Sequence, residues 1–129
     1  MEIQNLHHVA IICSDYEVSK KFYTEVLPFS VIRETYRAER DSWKLDLAIS
    51  GGTQIELFSF PTPPFRPTHP EARGLRHIAF LVEDLHAQIA DLTATGIAVE
   101  PVRVDELTGQ RFTFFADPDG LPIELYERV

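Results

Sequence analysis

The chain is written twice, and this constrains its fold more than any other feature. Leu6-His7-His8-Val9-Ala10-Ile11 returns as Leu75-Arg76-His77-Ile78-Ala79-Phe80, and Asp15 returns as Asp84 at the same offset of 69 residues. Ile55-Glu56-Leu57-Phe58 returns as Ile123-Glu124-Leu125-Tyr126 at an offset of 68. Copies of about 55 to 60 residues are too long for a solenoid repeat and suit a duplicated small module.

Each copy carries the same order of signals. In the first, a β-rich run from Leu6 to Cys13 leads to Ser14-Asp15-Tyr16-Glu17, which reads as a capping box. A helix follows with Val18, Phe22 and Val26 on one face, and Pro28 ends it. Strands are expected over Phe29–Tyr36 and Ser42–Ile49, then a Gly51-Gly52 hairpin and a last strand over Thr53–Ser59. In the second copy the helix starts near Asp84, shows Leu85, Ile89 and Leu92 on one face, and stops at Gly96. Strands are expected over Ala98–Val104, Arg111–Ala116 and Leu121–Tyr126, the last preceded by the turn Asp117-Pro118-Asp119-Gly120.

These signals predict an α+β chain of two βαβββ modules, over residues 4–60 and 75–128, forming one domain across 1–129. Between them, Pro61, Pro63, Pro64, Pro67 and Pro70 exclude regular helix or a central strand, so 61–74 reads as a stiff extended linker.

The formal net charge of −8 argues against nucleic acid or an anionic membrane as partner. A small anionic substrate stays open, since a few arginines and a metal can reverse the field in one pocket. No apolar run spans a bilayer, the N-terminus has no signal-type segment, and Cys13, the single cysteine, forms no intrachain disulfide; a cytoplasmic location is expected. Cys13 itself reads as a small core residue.

The repeat sets the chemistry. By strand alternation His8 shares a face with Leu6, Ala10 and Ile12, and His77 with Leu75, Ala79 and Leu81. Glu56 and Glu124 each sit in an Ile-Glu-Leu triplet. A lone strand histidine is more often structural, and a lone strand glutamate more often faces water. Here chance must place one imidazole and one carboxylate at matching positions twice. Two imidazoles and two carboxylates suit one borderline divalent ion, such as Ni²⁺, Zn²⁺, Co²⁺, Mn²⁺ or Fe²⁺. Four protein ligands on an octahedral ion leave two positions for water or substrate oxygens, and a glutamate released from the metal can act as base on an adjacent C–H. His7 should point away from His8. His69 and His86 read as solvated.

Arg37, Arg40, Trp43, Lys44, Arg73 and Arg111 are candidates for an anion-binding rim. Arg37, Trp43 and Arg111 are preferred for substrate binding because they sit on predicted strands or at their ends. No phosphate loop, dinucleotide fingerprint, cysteine-rich zinc motif or nucleophile elbow is present.

Leu6-His7-His8-Val9-Ala10-Ile11, Phe22-Tyr23, Ile55-Glu56-Leu57, His77-Ile78-Ala79 and Asp117-Pro118-Asp119-Gly120-Leu121-Pro122-Ile123-Glu124-Leu125 together resemble the glyoxalase I, or vicinal oxygen chelate, superfamily. The resemblance covers nearly the whole chain, and the Asp-Pro-Asp-Gly turn before Ile-Glu-Leu is its most specific piece. Arg40-Asp41-Ser42-Trp43-Lys44, residues 55–61 and Gly74-Leu75-Arg76-His77 resemble more narrowly its bacterial YaeR-type branch. The resemblance implies two curved mixed sheets around a metal (the glyoxalase/bleomycin resistance/dioxygenase fold). It implies His8, Glu56, His77 and Glu124 as the four ligands, a homodimer, and a lyase or isomerase reaction through an enediolate. By the same similarity Glu124 is the first choice for base and Glu56 the second. In bacterial glyoxalase I an arginine stands four residues after the first histidine and an asparagine four after the first glutamate. Here those places hold Ile12 and Phe60, which weakens the case for glutathione.

Two other classes use this architecture. An extradiol-type dioxygenase uses two histidines and one carboxylate on iron, whereas both carboxylate positions here are glutamate. Drug-binding or resistance proteins need no metal ligands, so four intact candidates argue against them. Three-ligand thiol transferases of the superfamily lack the first glutamate, so Glu56 argues against those.

Overall fold

Each half of the chain builds a four-stranded mixed sheet, and the two sheets have the same strand order. All 129 residues are described by the computed structural model, in which residues Met1–Pro64 and Phe65–Val129 form two units. The first unit holds β1 (His8–Cys13), α1 (Tyr16–Lys21), β2 (Ser30–Arg37), β3 (Ser42–Ala48) and β4 (Gln54–Ser59). The second holds β5 (Ile78–Val82), α2 (Leu85–Ala94), β6 (Arg103–Val104), β7 (Arg111–Ala116) and β8 (Pro122–Glu127). The orders are β1-β4-β3-β2 and β5-β8-β7-β6; the first pairing in each is parallel, the others antiparallel. This is the duplicated α+β architecture that the repeat predicts. No helix is long and apolar enough to cross a membrane.

The first helix begins one residue later than the Ser14 capping box suggests, and the second starts from Asp84 as expected. Asp15 is the N-cap of α1, accepting from the Val18 amide at 3.2 Å, and Asp84 caps α2 through the Ala87 amide at 3.0 Å. Both caps are extended, and a carboxylate there satisfies an amide the first helical turn leaves free. After Lys21 the chain loosens into a π turn over Phe22–Val26, where the Leu27 amide reaches the Phe22 carbonyl at 2.9 Å. That extra residue per turn moves the apolar stripe. Tyr16, Phe22, Tyr23 and Leu27 are buried, while Val18 is exposed.

Alternation then sorts the sheets. In the first unit Leu45, Leu47, Ile55 and Leu57 are fully buried on the helix side, and Ile11 and Cys13 join them from β1. In the second unit Thr113, Phe115, Ile123 and Leu125 are buried, together with Leu85 and Leu92 of α2. The expected strand over Ala98–Val104 is reduced to Arg103–Val104. Pro101 has no amide to donate, although Glu100 keeps one bond to the Phe114 carbonyl at 2.9 Å. Asp117 sets the turn before β8: its carboxylate accepts from the amides of Asp119 and Leu121, both at 2.9 Å, and Gly120 takes φ +82°.

The boundary at residues 64/65 falls inside the expected linker, and the rest of that segment is tied to the second unit. The Arg66 guanidinium donates to the carbonyls of Leu75 and Arg76, each at 2.9 Å, and the Thr68 hydroxyl donates to the Gly120 carbonyl at 3.0 Å.

Candidate functional site

Parallel pairing of the first and last strands of each unit puts a histidine beside a glutamate. In the first unit Ala10 of β1 lies opposite Glu56 of β4, so His8, Ala10, Gln54 and Glu56 share one face. His8 Nε2 stands 3.4 Å from Glu56 Oε2. In the second unit Ala79 lies opposite Glu124, and His77 Nε2 stands 3.0 Å from Glu124 Oε2. The same two side chains meet through the same atoms, once in each copy. Both pairs are on the face opposite the helix and its buried core.

Their surroundings differ. Opposite Glu56 on β3 stands Asp46, and Lys44 bridges the two carboxylates, with Nζ 2.9 Å from Asp46 Oδ1 and 3.6 Å from Glu56 Oε1. The place opposite Glu124 is taken by Phe114, whose ring meets His77 edge-on at 5.1 Å between centroids. Glu56 therefore sits in a charged frame and Glu124 in an aromatic one. Asp46 is buried and was not anticipated. Its signal in the sequence is Lys44-x-Asp46, two charges at alternate positions of an otherwise apolar strand.

His8 has a second partner. His7 Nδ1 lies 2.9 Å from His8 Nδ1, so His7 does not point away as alternation predicts. The ladder starts at His8, and alternation does not govern the residue before it. This contact leaves His8 Nε2 facing Glu56. His77 Nδ1 is buried with no hydrogen-bond partner.

The three preferred substrate-binding residues are divided between faces. Arg37 is on the Glu56 side of its sheet, donating to Ser42 Oγ at 2.8 Å with its guanidinium 4.8 Å from the Phe58 ring centre and 5.7 Å from that of Phe60. Trp43 is on the helix side, stacked on Tyr16 at 5.4 Å and against Tyr36 at 5.0 Å. Arg111 is also on the helix side. Two nitrogens of its guanidinium hold Glu127 at 2.6 and 2.8 Å, and a third approaches His86 Nε2 at 2.8 Å. That fork holds the Glu127 carboxyl below the usual carboxylate range, with help from the Leu85 amide. His86 is thus bonded rather than merely solvated, while His69 is exposed beside Glu71 at 3.8 Å. Cys13 is buried, its thiol donating to the Phe58 carbonyl at 3.3 Å.

A divalent metal fits these donors. Imidazole nitrogen and carboxylate oxygen are the ligand types of borderline divalent ions, and each pair already has both atoms turned to one point. Each unit holds one such pair, and no group of three or more His, Cys, Asp or Glu side chains of metal-holding geometry is gathered in the chain.

A family model for the Glyoxalase/Bleomycin resistance protein/Dioxygenase superfamily matches residues 5–125. The chain is 60% identical over 128 residues to the uncharacterized protein YwkD of Bacillus subtilis, covering 99% of this chain and all of that one. It is 56% identical to the uncharacterized protein YaeR of Escherichia coli over 126 residues, 98% of each. Among solved structures, a glyoxalase family protein from Enterococcus faecalis superposes with a TM-score of 0.91 at 50% identity, over 98% of this chain and all of that one.

Proposed function

We propose, for a chain that belongs to the glyoxalase/bleomycin resistance protein/dioxygenase superfamily, a divalent-metal-dependent lyase or isomerase. It would act on a small α-hydroxycarbonyl compound or thiol adduct by way of an enediolate. The observation that carries this reading is the imidazole–carboxylate pair formed twice at repeat-related positions. In this reading His8, Glu56, His77 and Glu124 are the ligands of one ion, with Ni, Zn, Co, Mn and Fe as the candidates. The bound ion would supply Lewis acidity, lowering the cost of negative charge on a substrate oxygen.

The proton is moved by the protein. Glu124 is the better base because its frame is aromatic and its one close side-chain partner is the His77 imidazole, with no lysine or arginine on it. Glu56 already shares its charge with Lys44. Glu124 Oε2 would take the proton from the carbon next to the carbonyl and return it to the neighbouring carbon. Arg37, on the Glu56 face, is the retained candidate for substrate orientation.

The site belongs to a homodimer in this proposal. The rows that carry the two histidines are apolar and open: Ile12 is 55% exposed and Leu81 is 54% exposed. A second copy of the chain would cover such rows.

Deuterium incorporation tests the reaction. With hemithioacetals and simple α-hydroxycarbonyl compounds in D₂O, the metal-loaded protein should wash solvent deuterium into the α-carbon, followed by NMR. Glu124→Gln should lower that rate by at least about 100-fold with the fold intact. Consumption of O₂ with no deuterium wash-in would contradict the proposal and favour dioxygenase chemistry.

A further inference from the structure

A cavity of about 490 Å³ opens in the second unit, with His77 and Phe114 in its wall. That volume suits a small organic ligand. Four arginines line it: Arg66, Arg73, Arg76 and Arg103. They face two carboxylates, Glu71 and Glu100, in a chain whose formal net charge is −8. The cavity therefore runs against the sign of the whole molecule.

The arginines are unequally occupied. Arg66 spends one terminal nitrogen on the carbonyls of Leu75 and Arg76, which fixes the segment ahead of His77, and its Nε is buried without a partner. The Arg103 guanidinium packs against Phe112 and Phe114, at 5.1 and 5.5 Å from the ring centres, and its nearest carboxylate, Glu100, is 3.8 Å away. That is too long for a fork-type hydrogen-bonded pair. Arg73 and Arg76 form no ion pair. Gathering four guanidinium groups around one cavity against only two carboxylates costs self-repulsion, which a bound anion would relieve. The two aromatic contacts hold Arg103 at the cavity, which lowers the freedom it loses on binding.

We infer that this cavity is the substrate's anion subsite: it takes the phosphate or carboxylate group of a small substrate whose reacting carbon lies toward His77. The inference rests on the reading of His77 as part of the reactive site and adds the substrate class. An α-hydroxycarbonyl compound bearing an oxyanion fits it; a neutral one leaves Arg73 and Arg76 without an anionic partner. Screening by salt follows, because the cavity is open to solvent.

Calorimetric titration at low ionic strength tests it on the full-length protein, with inorganic phosphate, dihydroxyacetone phosphate and dihydroxyacetone as probes. The expected result is that both phosphates bind and that dihydroxyacetone binds at least tenfold more weakly than its phosphate. Arg76→Gln/Arg103→Gln should weaken phosphate binding at least tenfold, while Arg128→Gln, a control for loss of one positive charge, should leave it unchanged. Single substitutions at Arg76 and Arg103 cover the case in which the double variant fails to fold. Equal phosphate affinity in wild-type and variant proteins, or phosphate binding no tighter than chloride, would overturn the inference. Metal content measured on the same samples separates the two claims. Phosphate binding without metal would sink the metal reading alone, and metal without phosphate binding would sink the subsite alone.

Discussion

Whether a strand residue serves the site or the core is decided by one bit of information, the parity of its position. Trp43 and Lys44 are neighbours, yet Lys44 reaches Glu56 while Trp43 stacks on Tyr16. Arg37 and Tyr36 divide in the same way: Arg37 covers Phe58, and Tyr36 packs on Trp43. Trp43 is 36% exposed, so its truncation to alanine should cost about 2 kcal/mol in urea denaturation, below the ~3–5 kcal/mol of a fully buried aromatic. The folded Trp43→Ala protein should keep its rate of deuterium exchange. A large loss of exchange without loss of stability would return Trp43 to the substrate site. His8, Glu56, His77 and Glu124 were legible in the sequence because duplication marks them twice. Asp46 and Arg103 have no such mark. In the second copy Phe114 occupies the place of Asp46, so comparing the copies hides the charge instead of revealing it.

At the scale of elements, the strands follow from alternation and the turns from Gly51-Gly52 and Asp117–Gly120. The misread pieces have local physical causes. Capping passed from Ser14 to Asp15 because the carboxylate is the group in reach of the Val18 amide. The π turn shifted the buried stripe of the first helix, and apolar spacing alone cannot announce an extra residue in a turn. Arg66 and its neighbours read as linker because proline density excludes regular structure but not packing.

The second helix depends on a device that titrates. Glu127 on β8 accepts from the Leu85 amide at 3.1 Å and from Arg111. Its folded pKa is lowered, chiefly by the Arg111 hydrogen bonds, so its contribution to stability is full above the unfolded glutamate pKa and is lost as pH falls through the folded value. Thermal melts of the parent and Glu127→Gln should therefore draw together as pH falls from ~4.3 through the lowered folded value, with the parent more stable above that range. A constant difference between the two proteins across the acid range would show that Glu127 acts without its charge.

For the whole molecule, the two units carry the same histidine–glutamate pair once each, and the proposed metal centre draws on both pairs. The exposed apolar rows of β1 and β5 are where a second copy is expected. Ile12→Lys should shift sedimentation from dimer to monomer while leaving the far-UV spectrum unchanged, since Ile12 is outside the core. A dimer that survives this change would place the contact elsewhere. The four-ligand centre itself is tested most directly by metal content, measured by mass spectrometry on the purified protein and on its His77→Ala and Glu56→Gln variants. The account predicts about one divalent ion per chain in the parent and a sharp loss when a ligand from either unit is removed. A parent protein that holds no ion after reloading with Ni²⁺, Zn²⁺, Co²⁺, Mn²⁺ or Fe²⁺, or a His77→Ala protein that holds it as tightly as the parent, would contradict it.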